Sequence, residues 1–209
     1  MPMLISNIAA CCVVCVGVSG ASASLGWQRV QSGYPEASSG RMLVQAKGSA
    51  SDGMKSRDAT LYFSGMPKSD RFKLGIFIGD LDKEWDGIPW DDFRGPDLDT
   101  KALVATPLEM ILDLGDRKIV SRFRILVSGV LLPEQDVGQM AEGVIVDSDE
   151  TVRKGISMKE FCLYLLGGYK KIDLNFHYSK SKKKIQIHIP GDAKDPALSE
   201  FFSLIKASR

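Results

Sequence analysis

The sequence predicts an α+β domain: a largely antiparallel β-sheet or sandwich with two appended helices, at about residues 157–168 and 195–207. Three observations carry that expectation. Two candidate hairpins sort their cross-strand partners by polarity, two capped amphipathic helices stand near the C-terminus, and no βαβ alternation is present.

The first segment in the chain is expected to lie outside that domain. Met1 to Gln28 carries no charged side chain, and Ile8 to Val18 is an unbroken run of Ala, Cys, Val, Ile and Gly. A bilayer-spanning helix needs roughly 20 apolar residues, whereas a signal-peptide core needs about 7 to 15 and then small residues at a cleavage site. Ala21-Ser22-Ala23 is an A-x-A site. Residues 1–23 therefore read as a signal peptide and 24–209 as a single β-rich domain, periplasmic or secreted, with no stable membrane span after processing. The n-region lacks Lys and Arg, so its only positive charge is the amino terminus. A buried apolar N-terminal segment is the competing reading, and Ile8-Ala9-Ala10-Cys11 as a lipobox would leave too few residues before it. Cys11, Cys12 and Cys15 fall in the segment to be removed, so the mature chain keeps only Cys162 and forms no intramolecular disulfide. A formal net charge of +1 argues against a general nucleic-acid binder, which shows a strongly basic face.

Ser24 to Gly40 is rich in Ser and Gly and reads as an entry segment, and Gly48 to Gly53 reads as a loop. Arg41–Lys47, Thr60–Phe63 and Phe72–Ile78 are strand candidates, the latter two rich in aromatic and β-branched residues. Leu108–Leu114 and Arg117–Val127 flank Gly115-Asp116, a dipeptide suited to a two-residue hairpin turn. With Leu114 opposite Arg117, Leu112 faces Ile119, Met110 faces Ser121 and Leu108 faces Phe123, while Asp113 faces Lys118 and Glu109 faces Arg122. Apolar residues share one surface and opposite charges pair on the other. In the second hairpin, Lys171–Tyr178 and Lys184–Ile189, pairing Tyr178 with Ile185 sets Phe176 against Ile187 and Leu174 against Ile189. The opposite face then holds Asp173, Asn175, His177, Gln186 and His188.

Ser157-Met158-Lys159-Glu160 is a capping box. Met158, Phe161, Cys162, Leu165, Leu166 and Tyr169 follow at helical spacing, and Gly167-Gly168 ends the helix. The last helix starts at Asp195 as N-cap with Pro196 at its first position, and Leu198, Phe201, Phe202 and Ile205 form its apolar stripe.

Candidate chemistry is sparse, and no metal, cofactor or nucleotide constellation stands out. Cys162 could be a nucleophile, but its place in an apolar stripe points to packing, since a reactive thiolate needs exposure and a positive neighbourhood. His177, His188 and Asp173 share a sheet face and could form part of a metal or acid–base site; two imidazoles on one hairpin are too few by themselves. The most unusual stretch is 79–99, with eight acids against Lys83 and Arg94, about −6 by formal count. Its alternating Asp80, Asp82, Glu84 and Asp86 invite a Ca²⁺ reading, but an EF-hand loop started at Asp82 has Phe93 where a bidentate Glu is required. Solvation does not explain why Trp85, Ile88, Pro89, Trp90 and Phe93 interleave with these acids. Acids with aromatic anchors suit a protein-binding patch, so Trp85, Asp86, Trp90, Asp91, Asp92 and Phe93 are the expected partner-binding residues.

The capped helix, the hairpin Ile172–Phe176 to Ile185–Ile189, Gly191 and Ala197-Leu198-Ser199-Glu200-Phe201-Phe202 resemble the tail of small bacterial periplasmic proteins of the invasion-associated locus B type. The resemblance spans about fifty residues and implies a secreted β-rich domain without known catalysis. That family's disulfide cysteines have no counterpart here, and no functional residues carry over.

The expected function is a non-enzymatic binding protein of inhibitor or immunity type, needing no cofactor and contacting a protein partner through 79–99. The alternative is a small hydrolase with two acids of that stretch about 5 to 9 Å apart across a cleft. Binding is preferred because no nucleophile, base and oxyanion donors converge. Intact-mass measurement of protein from its native host should give a chain beginning close to Ser24; retention of Met1 would refute the signal-peptide assignment.

Overall fold

The β5–β6 hairpin forms in the register that its polarity demands. In a computed structural model, β5 (Val104–Asp113) and β6 (Lys118–Val130) pair with Leu112 opposite Ile119, Met110 opposite Ser121, Leu108 opposite Phe123 and Glu109 opposite Arg122. Leu114 N–H donates to Arg117 O at 2.9 Å, and Gly115 takes φ +95°, the positive angle needed at the first central residue of a type II′ turn. The structure describes residues 26–30, 42–69, 72–81, 104–130, 139–147, 156–176, 184–191 and 195–206. The signal-peptide segment 1–23 lies outside them.

The other strands are β1 (Trp27–Arg29), β2 (Met42–Ser51), β3 (Ser56–Gly65), β4 (Phe72–Leu81), β7 (Gln139–Asp147), β8 (Lys171–Phe176) and β9 (Ile185–Pro190). Their order is β1-β2-β3-β4-β7-β6-β5-β8-β9, and β2 also pairs with β9. The second pairing closes β2 to β9 into an eight-stranded antiparallel barrel; an even count lets every neighbour run antiparallel around the ring. The prediction of antiparallel strands with two helices holds. The open sheet or sandwich is corrected to a closed, mostly-β barrel, because the β2–β9 pairing leaves neither strand as a free sheet edge.

Closure depends on one strand serving two partners along one edge. Residues 44–46 of β2 pair with β1, and residues 49–51 pair with β9. Gly48 sits where the edge changes hands. A Cβ at that position would lie 2.1 Å from the His188 carbonyl oxygen and 2.7 Å from Ile189 Cδ1. Residues Gly48 to Ser51 are thus strand rather than the loop their composition suggested, and the strand runs to the turn at 52–55. Trp27–Arg29 of the supposed entry segment is likewise a strand, and β7 carries too irregular a pattern to have been foreseen.

Alternation fills the barrel. Ala59, Leu61 and Phe63 of β3, Leu74, Ile76 and Ile78 of β4, and Ile172, Leu174 and Phe176 of β8 are buried, as are Ile185, Ile187 and Ile189 of β9. Outward positions include Lys47, Glu109, Arg122, Arg124, Lys171 and His188, so most charged side chains face away from the core.

Both helices lie at one end of the barrel, which we call lower. Helix α1 (Met158–Leu166) follows β7 and precedes β8, and helix α2 (Pro196–Lys206) follows β9. The Ser157 hydroxyl accepts from Glu160 N–H while the Glu160 carboxylate accepts from Ser157 N–H at 2.9 Å, the expected capping box. Gly168 takes φ +97° just beyond α1. Phe161 meets Phe123 edge-on at 5.8 Å, and the buried Ser121 hydroxyl donates to Ile156 O at 2.7 Å. Asp195 caps α2 through Ala197 N–H at 2.9 Å, and Lys68 N–H, from the β3–β4 turn, donates to Leu204 O at its far end. Phe63 gathers Trp27, Phe72, Phe201 and Phe202, with ring centroids 5.1 to 5.9 Å away.

Trp27 joins these parts. Its indole N–H donates to Tyr169 Oη at 2.6 Å, and its backbone N–H donates to the Asp195 carboxylate. Burial pushes the Tyr169 phenol far above its ordinary range, a shift that the indole hydrogen bond opposes and Asp195 reinforces, so the ring stays neutral.

Gly48→Ala should lower stability by about 1 to 3 kcal/mol, because the new methyl meets backbone and not a yielding side chain. Ser49→Ala, at the next exposed position, should stay within about 0.5 kcal/mol of the parent. Urea denaturation of the three proteins measures the difference.

Candidate functional site

Neighbouring strands alternate in direction around the ring, so the end opposite the helices is fixed by topology. The turn at 52–55 lies there, and so do the strand ends Leu81 and Val104, Val130 and Gln139, and Phe176 and Ile185. Three connections therefore leave the upper end: 82–103, 131–138 and 177–184. The first joins β4 to β5 across two intervening strands, β7 and β6. Gly79, Asp80 and Leu81 of the acidic stretch belong to β4. Trp85, Asp86, Trp90, Asp91, Asp92 and Phe93 lie outside the described residues, as does His177.

The turn at 52–55 shows how this rim is held. Asp52 is 6% exposed, and its carboxylate accepts from Met54 N–H at 2.8 Å and Lys55 N–H at 2.7 Å. Gly53 takes φ +91° and donates to the Ser51 hydroxyl at 3.0 Å. Met54, at the tip, is 79% exposed. A side chain that short, accepting twice from its own turn, fixes the tip to the end of β2.

The polar face of β8–β9 differs from expectation in register and not in side. Phe176 faces Ile185, Leu174 faces Ile187 and Ile172 faces Ile189, a shift of two residues toward the helix end. A two-residue shift keeps every side chain on its own face. It brings His188 opposite Asp173 instead of Asn175. His188 Nδ1 lies 2.8 Å from Asp173 Oδ1, and Lys171 Nζ lies 2.9 Å from Asp173 Oδ2. Burial alone raises the Asp173 pKa and is the largest single influence; hydrogen bonds from His188 and Lys171, with their charge, together outweigh it and hold the carboxyl below its ordinary value. On the next row Asn175 donates to Glu109 at 3.5 Å and Gln186 donates to Asn175 at 3.4 Å. His188 keeps 49% of its side chain exposed, so this is a solvated polar face.

Cys162 is buried in the core with Phe161 and Leu165, the setting that favours an inert thiol. Among the described residues no group of three His, Cys, Asp or Glu side chains is placed to hold a metal ion, and no helix is long and apolar enough to cross a membrane. No protein-family model, curated protein or solved structure matches the chain.

Asp173 gives a pH dependence of known sign. Its folded pKa is depressed, so its contribution is present above the unfolded carboxyl value of about 3.9 and is lost as pH falls through the lower folded value. Asp173→Asn should cost up to about 1 kcal/mol near neutrality, with the gap to the parent closing in acid. Urea midpoints from pH 7 down to pH 3 would show it; a gap that does not change with pH would mean that the carboxylate's charge contributes nothing.

Proposed function

We propose that the protein is an exported, non-enzymatic binding protein that contacts a protein partner through residues 79–99. Trp85, Trp90 and Phe93 serve as apolar anchors, and Asp86, Asp91 and Asp92 supply the surrounding charge. One observation carries the reading: both ends of the 82–103 connection are fixed on strands of a closed barrel, at the end opposite the two helices. A rigid barrel that presents a long connection is the usual division of labour between scaffold and binding loop. Tryptophan and carboxylates then divide the work, the rings supplying affinity through burial and the acids supplying steering toward a cationic surface. Removal of residues 1–23, and the likeness of the C-terminal part to invasion-associated locus B proteins, belong to the same proposal and put the encounter in the periplasm or outside the cell.

The test combines a pull-down from the native host, using chain 24–209 as bait, with substitution of both tryptophans. For at least one of Trp85→Ala and Trp90→Ala, the melting temperature should hold while partner binding weakens by about 2 kcal/mol or more. Asp91→Asn with Asp92→Asn should slow association, and added salt should erase the difference. A loss of about 3 to 5 kcal/mol of stability for both tryptophan variants would identify them as core residues and defeat the proposal.

A further inference from the structure

On the outside of the barrel, where most positions are polar, one row across five strands carries no charged side chain. Tyr62 on β3 pairs with Gly75 on β4, Gly75 with Val144 on β7, Val144 with Leu126 on β6, and Leu126 with Ala105 on β5. All five face outward, because the residues beside them in sequence, Leu61, Leu74, Ile145, Ile125 and Thr106, are the ones buried in the barrel. The Tyr62 ring covers Gly75 so closely that a Cβ there would lie 2.3 Å from it. Phe77, one outward position further along β4, also faces out and is half-buried, but its row partners Thr60, Glu142 and Ser128 are polar, so the apolar stretch is one rung deep. On the opposite flank, Glu109, Asn175, Gln186 and Ser51 occupy one row across β5, β8, β9 and β2. The apolar row is therefore a local feature and not the general character of this surface.

The ends of the β4–β5 connection select what covers it. Four of the five strands in the row are β4, β7, β6 and β5, the same four that residues 82–103 must span from Leu81 to Val104. Val104 stands next to Ala105, the last member of the row. Size points the same way. Five strands about 4.8 Å apart and one apolar rung about 7 Å deep give a patch on the order of 170 Å². A stable complex buries roughly 800 Å² on each partner, so a second copy of the chain would hold poorly here. The connection itself supplies matching side chains in Trp85, Ile88, Pro89, Trp90 and Phe93.

We propose that the apolar row Tyr62–Gly75–Val144–Leu126–Ala105 is the docking face for the chain's own segment 82–103, seated through its aromatic side chains. The contact is independent of any partner: it anchors part of the segment to the flank of β7 and β6, and leaves its carboxylates and any ring not seated there for an encounter.

The chain has three tryptophans, and Trp27 is buried, so iodide quenching of the unaltered protein reports on Trp85 and Trp90. Docking of at least one of these two rings predicts a quenching constant below that of the urea-unfolded chain. Leu126→Asp should raise it at least about twofold and shift emission to the red, since a charge on the face frees the rings to water. Ala105→Glu, at an already exposed site, should act in the same direction and guards against a Leu126 variant that fails to fold; circular dichroism checks both. A constant in the parent equal to that of the unfolded chain, unchanged in both variants, would overturn the inference. So would a concentration-dependent dimer by sedimentation that Leu126→Asp dissolves, which would assign the face to a second copy. Partner binding that survives in Leu126→Asp while quenching rises would leave both proposals standing, and loss of the docking signal alone would leave the partner reading intact.

Discussion

The seam between β2 and β9 is the constraint on which the molecule depends. Three residue pairs, Ser49 to Ser51 against Gln186 to His188, turn a row of strands into a ring. Gly48 makes room for that ring at the point where β2 releases β1 and takes up β9. Hydrophobic burial supplies most of the folding free energy, but burial alone does not choose between two stacked sheets and a barrel. That choice is made by which edges pair. Here a missing side chain at one position lets two backbones approach.

The two ends of the barrel have divided duties. Around Phe63 the lower end collects rings from β1, β4 and α2, and Trp27 bonds to Tyr169 and Asp195 from different parts of the chain. Helix α2 is fastened at both tips, by Asp195 at its start and by Lys68 N–H at its finish. Buried polar groups at this end have found partners, as buried groups must. At the upper end, the Asp52 carboxylate ties down the turn at 52–55 through two hydrogen bonds from its own backbone.

Much of this was legible in the sequence, for reasons that differ by element. The β5–β6 register could be read to the residue because a two-residue turn leaves no freedom in pairing. The β8–β9 register could be read only in parity: alternation fixes faces, and a slip of two preserves them, so Asp173 rather than Asn175 meets His188. Both helices announced themselves through caps. Strand β7 did not, because Glu142 and Gly143 interrupt its apolar pattern, and Gly48 reads as a loop glycine because close backbone approach and loop flexibility leave the same letter. The acidic aromatic composition of 79–99 is plain in the sequence, whereas the outer row of Tyr62, Val144, Leu126 and Ala105 is not. Its members are scattered along the chain and become neighbours only once the strand order is known.

The seam also sets an order of events during synthesis. Ser49 cannot find His188 until all the other strands of the barrel have been made, and until then the ring has no closing partner. Until β9 emerges, the nascent chain can be at most an open sheet, with residues 49–51 of β2 and one side of β8 unpaired. Contacts so far apart in sequence form slowly, because a long loop must be ordered before they return any energy. A chain built this way spends its early life unclosed, with edges that a chaperone can hold.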